Sequence, residues 1–546
     1  MLDTVTQDRI DALFASFTAP GSPGCAVGVM RGGQLVHGRG YGLANLEHGI
    51  PITPTTTFYI ASVSKQFTAM AVALLANEGK LDLDADIHDY LPFVPDFGHR
   101  ITAKHLLYHT SGLRSDIFLL IAAGYRMEDI ITQEDLLRLV CRQRELDFLP
   151  GEEFSYCGTG YALLTEIVAS VGGVPFAEYC WEQIFAPLGM SSTRFETDPL
   201  ALISERAGTY FPVGEGEYKR TILTTGLVGG TGIYTTIDDL ALWDANFYTG
   251  NVGGDSVLSM MQTPGTLNSG KELRYAFGLA IDSHRGRKVL SHAGAGSGVN
   301  CYMMRLPDER LTVAILGNSN AVRGPTLARS VADVLLNIEG EHAAAASASG
   351  RRQVIDLADA GLESRAGRYF NPTTGALIEL PLRDGKLTLY GYELSAETED
   401  AFFIPEHPEA TVRFREAHGT THATVDIGEG PTTYDRITPV VPASQELAEY
   451  AGTYYSPEVD TTWTIELDGD RLVVHRARQG ISALVPLCKD VFTDPWAGAL
   501  LHGTAQWVIA FDREGESISG LRVSATGGRG RNLRFDRKQE GFVARR

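Results

Sequence analysis

Hydrophobic positions open the chain at helical spacing. Ile10, Leu13, Phe14 and Phe17 share one face of a helix predicted over residues 5–17. The rhythm then changes. Cys25-Ala-Val-Gly-Val-Met30, the turn Arg31-Gly32-Gly33 and Gln34-Leu-Val-His37 predict strand, turn and strand. From Ser62 to Glu78 the spacing is helical again, and Gly79 suits a C′ stop. Further helices are predicted over 135–146, 159–171, 175–186, 237–248 and 325–338. Lys288-Val-Leu-Ser-His292 and Arg310-Leu-Thr-Val-Ala-Ile-Leu316 are apolar, β-branched runs of strand length. Strands at both ends with helices between them predict α/β architecture, a mixed antiparallel sheet flanked by helices.

Residues 341–350, Glu-His-Ala-Ala-Ala-Ala-Ser-Ala-Ser-Gly, are small and of low complexity, which marks a linker. Beyond them the pattern becomes short alternating strands with Asp-Gly turns. Ala366-Gly-Arg-Tyr369-Phe-Asn-Pro372 resembles Ala451-Gly-Thr-Tyr454-Tyr-Ser-Pro457, and each is followed by Ile-Glu-Leu, at 378–380 and 465–467. The repeat predicts one small antiparallel barrel per copy. The expected organisation is multidomain: an α/β domain over 1–340, a linker over 341–353, a lipocalin-like antiparallel β-barrel over 354–442 and a second barrel over 443–546.

A chain of 546 residues exceeds what one core organises, which agrees with that division. Hydrophobic residues at 44% and charged residues at 21% are ordinary globular usage. Lys+Arg number 47 against 67 Asp+Glu, a net charge of −20, so neither a nucleic acid nor a membrane surface is expected as partner. No apolar run is long enough to span a bilayer. The opening Met1-Leu-Asp-Thr-Val5 lacks the basic and apolar regions of a signal peptide, and the six cysteines form no C-x-x-C. A reducing cytoplasm is the expected compartment.

Candidate chemistry begins at Ser62-Val-Ser-Lys65. Residues i and i+3 share a helix face, so the hydroxyl and the amine can be neighbours, and a helix N-terminus favours an alkoxide-like oxygen. Alone, the spacing also fits a capped helix with a surface lysine. Phe154-Ser-Tyr156-Cys-Gly158 precedes a predicted helix, and a tyrosine aimed at a serine–lysine pair can relay a proton. Ser291-His292-Ala-Gly294-Ala295 ends a strand. There Gly294 would admit substrate backbone, and the Ala295 N–H could join that of Ser62 as an oxyanion hole. His284-Arg-Gly286 repeats the His-x-Gly pattern but lies in a polar turn. His105 and His109 are spaced i, i+4 with no third ligand evident, so no metal is expected, and no cofactor.

The order S-x-x-K, Tyr, H-x-G resembles the penicillin-recognising serine hydrolases, in the branch of class C β-lactamases, D,D-carboxypeptidases and D-aminopeptidases. Leu106-Leu-Tyr-His109-Thr-Ser-Gly112-Leu, Phe185-Ala-Pro-Leu-Gly-Met190 and Gly229-Gly-Thr-Gly-Ile-Tyr234 support it, and the likeness spans residues 20–338. Ser62-Val-Ser-Lys-Gln-Phe-Thr68, Phe154-Ser-Tyr-Cys157 and the two trailing β modules are most similar to the D-aminopeptidases. The resemblance implies that Ser62 is acylated, that Lys65 and Tyr156 manage its proton, and that His292 stands where β-lactamases carry the lysine of K-T-G. The branch usually has Asn two residues after the tyrosine; here it is Gly158, which removes an amide that would contact substrate.

The expected activity is hydrolysis of small amides or peptides through an acyl-enzyme, releasing an N-terminal D-amino acid. An esterase or transesterase with the same residues is a rival, as is a penicillin-binding-like protein that acylates without turnover. Substrate is the expected partner, with a homodimer an option. Thr493–Gly503 breaks the strand pattern of the second barrel. Its Trp496 and Leu500 either pack on that barrel or, as the resemblance implies, reach the site and limit substrate size.

Overall fold

A computed structural model describes residues 2–126, 128–338, 354–357, 359–405, 407–427, 430–440, 442–494, 506–526 and 529–539. Helix α1 (Thr4–Leu13) leads to strands β1 (Cys25–Arg31) and β2 (Gln34–Tyr41). Helices α2 (Lys65–Asn77), α3 (Asp116–Ala122) and α4 (Gly158–Gly172) follow. The chain then returns to the sheet as β3 (Ala280–His284), β4 (Arg287–Gly296), β5 (Val299–Leu306) and β6 (Leu311–Gly317), and crosses it with α5 (Gly324–Leu335). The six strands run in the order β3-β4-β5-β6-β1-β2, all antiparallel.

Two cores explain why β1 and β6 lack polar alternation. Ala26, Met30, Ala314 and Leu316 face the central helices. Cys25, Val27, Val29, Val313 and Ile315 face α1 and α5, where they meet Ile10, Phe14, Val331 and Ala332. A strand covered on both faces reads as a continuous apolar run. Helix α2 is buried nearly all round, including Lys65, as expected of a helix inside a large core. Strand β5 was not apparent from the sequence; its polar Asn300 and Arg305 interrupt the apolar run, and Arg305 is buried against Asp244 at 2.8 Å.

Beyond residue 354 lie two further antiparallel sheets, of seven strands (367–437) and nine strands (452–538), and a three-stranded sheet (382–393). In the nine-stranded sheet the edge strands Gly480–Ala483 and Val485–Cys488 are consecutive in the chain, so it curls nearly shut. The sequence repeat is one of construction. Tyr369 Oη donates to the Arg365 carbonyl and Tyr454 Oη to the Tyr450 carbonyl, both at 2.7 Å. Arg436 and Arg537 donate to the matching carbonyls of Ala366 and Ala451.

The nine-stranded sheet is not a loose appendage. Phe118 on α3 packs against Trp507 with ring centroids 5.2 Å apart, and both belong to one continuous core. Beside them Arg114 is buried, with Nη1 donating to Glu458 at 2.9 Å and Nε to the Arg531 carbonyl at 3.2 Å. Asp147 lies 3.4 Å from the same guanidinium and accepts the Arg531 N–H at 2.9 Å. Burial pushes the Asp147 carboxyl up to about 6, although Arg114 pulls it down. Removing one partner of such a cluster strands the others. Arg114→Met should therefore cost about 3–5 kcal/mol of stability. It should also expose the 452–538 sheet to protease, as read by thermal unfolding and limited proteolysis.

Candidate active site

Ser62 lies in the tight turn Ala61–Ser64, and the α-helix proper starts at Lys65. The sequence places the helix start at Ser62 itself. The difference matters, because side chains at i and i+3 eclipse in the tighter 3₁₀ geometry. Lys65 Nζ accordingly donates to Ser62 Oγ at 3.2 Å, and to the Gly230 carbonyl at 2.7 Å. Ala61, just before the serine, holds φ at 45°, uncommon for a residue with a Cβ. Tyr156 precedes α4 and presents its ring centroid 4.7 Å from Lys65 Nζ, with Tyr161 at 5.3 Å. The expected hydrogen bonds from the Tyr156 phenol are not formed among the described residues; the contact is ring to amine. Such bonds often tighten only around substrate.

Strand β4 brings in the third element. A Cβ on Gly294 would stand 2.1 Å from the Ile60 carbonyl. The close approach seen there is to the backbone leading into the serine turn. It sets Ala295 and Ser62 on the wall of one cleft. His292, on the same strand, is buried. Its Nδ1 faces the Ala293 carbonyl at 2.7 Å and its Nε2 the Tyr275 hydroxyl at 2.9 Å. A carbonyl only accepts, so Nδ1 carries the proton. Burial, then the charge of Lys65, hold the imidazole down to about 3, so the ring is neutral and Nε2 accepts from Tyr275.

Gly158 has a neighbour that the sequence did not reveal. A Cβ there would stand 2.3–2.5 Å from the carboxylate atoms of Asp116, the first residue of α3. The place for the missing amide is therefore occupied, and Gly158→Asn has no room while Asp116 stays. Gly158 also flanks the amine, since a Cβ on Gly230 would lie 3.4 Å from Lys65 Nζ and 3.6 Å from Gly158 Cα. Ser62, Lys65, Tyr156, Gly158, Asp116 and Ala295 thus border one cleft. Its far wall is apolar: Ile117, Leu120 and Ile121 of α3, with Ile131, Leu223 and Leu227. That wall is zipped together by Ile131 N–H to the Thr224 carbonyl at 3.2 Å and Gly226 N–H to the Ile131 carbonyl at 2.8 Å.

The nine-stranded sheet contributes as well. Arg529, from the turn after its Ser517–Ala525 strand, lines the cleft with its guanidinium 5.1 Å from the Tyr156 ring centroid. Of the loop expected to reach the site, Trp496 and Leu500 lie outside the described residues. His284 Nε2 is hydrogen-bonded to Asp333 at 2.7 Å, away from the cleft. His105 belongs to a capping box with Thr102. Asp116, Tyr275 and Arg529 carry no sequence signal of their own. They come from a helix start, a polar loop and a distant turn.

The neutral state of His292 has a measurable consequence. Unfolded histidine binds a proton below about 6.5 that the folded one refuses until about 3. Stability should fall as pH drops through that window, because the unfolded chain then holds more protons. The difference in unfolding midpoint between wild type and His292→Gln should change steadily across it and be constant above pH ~7. A difference independent of pH would count against the assignment.

The Beta-lactamase family profile matches residues 10–336. A D-aminopeptidase from Gluconobacter oxydans (strain 621H) is 29% identical over 525 residues, covering 94% of this chain and 95% of the relative. A D-aminopeptidase from Cereibacter sphaeroides (strain ATCC 17029 / ATH 2.4.9) is 27% identical over 538 residues, covering 96% and 97%. Among solved structures, the octameric penicillin-binding protein homologue from Pyrococcus abyssi superposes with a TM-score of 0.54 at 21% identity, over 87% of this chain and 99% of that one. The D-amino acid amidase from Ochrobactrum anthropi SV3 complexed with D-phenylalanine does so at 0.52 and 22%, over 61% and 100%. At such identities these likenesses concern the fold. The chain belongs to the Beta-lactamase family and is a serine hydrolase.

Proposed function

We propose that this hydrolase removes N-terminal D-amino acids from small amides and short peptides. The observation that carries the reading is Asp116. A free α-ammonium needs an anion beside the scissile carbonyl, and Asp116 supplies one on the wall shared with Ser62 and Lys65. Its carboxylate is steadied by the Ser115 hydroxyl at 3.0 Å. The apolar wall of α3 and Ile131 then suits a bulky apolar side chain on the same residue. The D configuration rests on the relatives alone.

In this scheme Ser62 Oγ attacks the carbonyl carbon and its proton passes to the Lys65–Tyr156 pair. The N–H groups of Ser62 and Ala295 receive the developing oxyanion. The pair returns the proton to the departing amine, leaving an ester on Ser62. Water then attacks that ester, its proton goes back through the same pair, and the free amino acid leaves. His292, being neutral, orients rather than titrates.

Ser62→Ala should lower kcat by about 10³-fold or more, and intact mass should find the acyl adduct on Ser62 in the parent enzyme. Asp116→Ala should lower kcat/KM for D-aminoacyl p-nitroanilides by about 10- to 100-fold, the worth of one charged hydrogen bond. N-acetylated counterparts should be unaffected. Equal losses on both would remove Asp116 from amine recognition. A second reading, an esterase, is favoured by the absence of an amide side chain at Gly158. Turnover of p-nitrophenyl esters with none of any aminoacyl anilide would establish it.

A further inference from the structure

We propose that His109 is the positioning residue for Tyr156, gripping the backbone on both sides of the phenol so that its ring stays against Lys65. The inference needs only the hydrolase chemistry, not the substrate proposed above.

Tyr156 has no helix or strand of its own to fix it; α4 begins after it, at Gly158. The two N–H groups that flank it both go to His109. The His109 carbonyl accepts from Ser155 at 2.9 Å and His109 Nδ1 accepts from Cys157 at 3.1 Å. The imidazole also packs against the ring that it brackets, with centroids 4.4 Å apart, and against Tyr275 at 4.8 Å. It does so from a left-handed backbone, φ 58°, which Asn tolerates better than most residues.

The tautomer follows. A backbone N–H only donates, so Nδ1 must accept, and the proton of the neutral ring sits on Nε2. That nitrogen is buried with no hydrogen-bond partner among the described residues. An apolar ring would avoid the cost of burying it, but would leave the Cys157 N–H without its acceptor. Burial first, then the charges of Lys65 and Arg529, hold the imidazole well below its usual range. His109 is therefore out of the proton traffic and acts by placement. A misplacement of about 1 Å at a reacting group costs roughly 100-fold in rate.

The test compares His109→Asn with His109→Phe. Asn puts an acceptor near the place of Nδ1 and suits the backbone. Phe keeps the ring and loses the acceptor. The substrate is whichever chromogenic ester or anilide the parent turns over, with a burst titration to count acylable sites. Phe should lower kcat by about 10- to 100-fold with KM unchanged. Asn should recover most of that, with the pH midpoints of kcat/KM unmoved. Asn no better than Phe, a loss confined to KM, or an acid limb that vanishes in Asn would each overturn the proposal. If His109→Phe does not fold, His109→Gln replaces it, since its amide reaches past the Nδ1 position. Equal losses in Asn and Gln would then be decisive against it.

Discussion

Lys65 Nζ is held in a nearly dry place by the Gly230 carbonyl, the Ser62 hydroxyl and two tyrosine faces. An amine there is tenable only while those partners stay, because burying it unpaired is costly. Much of the local structure serves that condition. Thr68, one turn along α2, donates to the Gly229 carbonyl at 2.8 Å, so two rungs of the helix clamp the 229–230 turn. The nearby imidazoles of His109 and His292 are kept neutral in part by the same charge. Strand β4 packs on the backbone that leads into the serine turn.

The sheet, its helices and the serine–lysine pair were legible because each leaves a local mark. An apolar run, a helical period and S-x-x-K are all readable within a few residues. The shared construction of the two trailing sheets was legible for the same reason, as a repeated Ala-Gly-x-Tyr. What escaped was whatever depends on distant segments meeting. Asp116 is one more acidic residue at a helix start until Gly158, far along the chain, is seen to leave space for it. His109 is a histidine four residues from His105 with no third ligand in sight, until its Nδ1 is found on the Cys157 N–H. A missing side chain at Gly294 does not say which neighbour stands in its place, and in the fold that neighbour is the Ile60 carbonyl.

The cleft is lined by residues of the first 338 and by Arg529, with support from others in the last hundred. Gln479 donates to the carbonyls of Ile121 and Tyr125, at 2.9 and 2.8 Å, and so fixes the far end of α3. Ser115, at its near end, donates its N–H to the Arg529 carbonyl at 3.3 Å. Helix α3 carries both Asp116 and part of the apolar wall, so the nine-stranded sheet braces the cleft as well as lending it Arg529.

That dependence has a meaning for how the protein is made. Chains emerge and fold N-terminal part first. The serine, lysine and tyrosine are all present long before Glu458, Gln479 and Arg531 are synthesised. Until those residues arrive, Arg114 has neither Glu458 nor the Arg531 carbonyl, and α3 has neither of its outside braces. A hydrolase with a reactive serine is thus withheld from a settled pocket during its own translation. A prematurely terminated copy would carry the serine, the lysine and the tyrosine beside an unbraced α3.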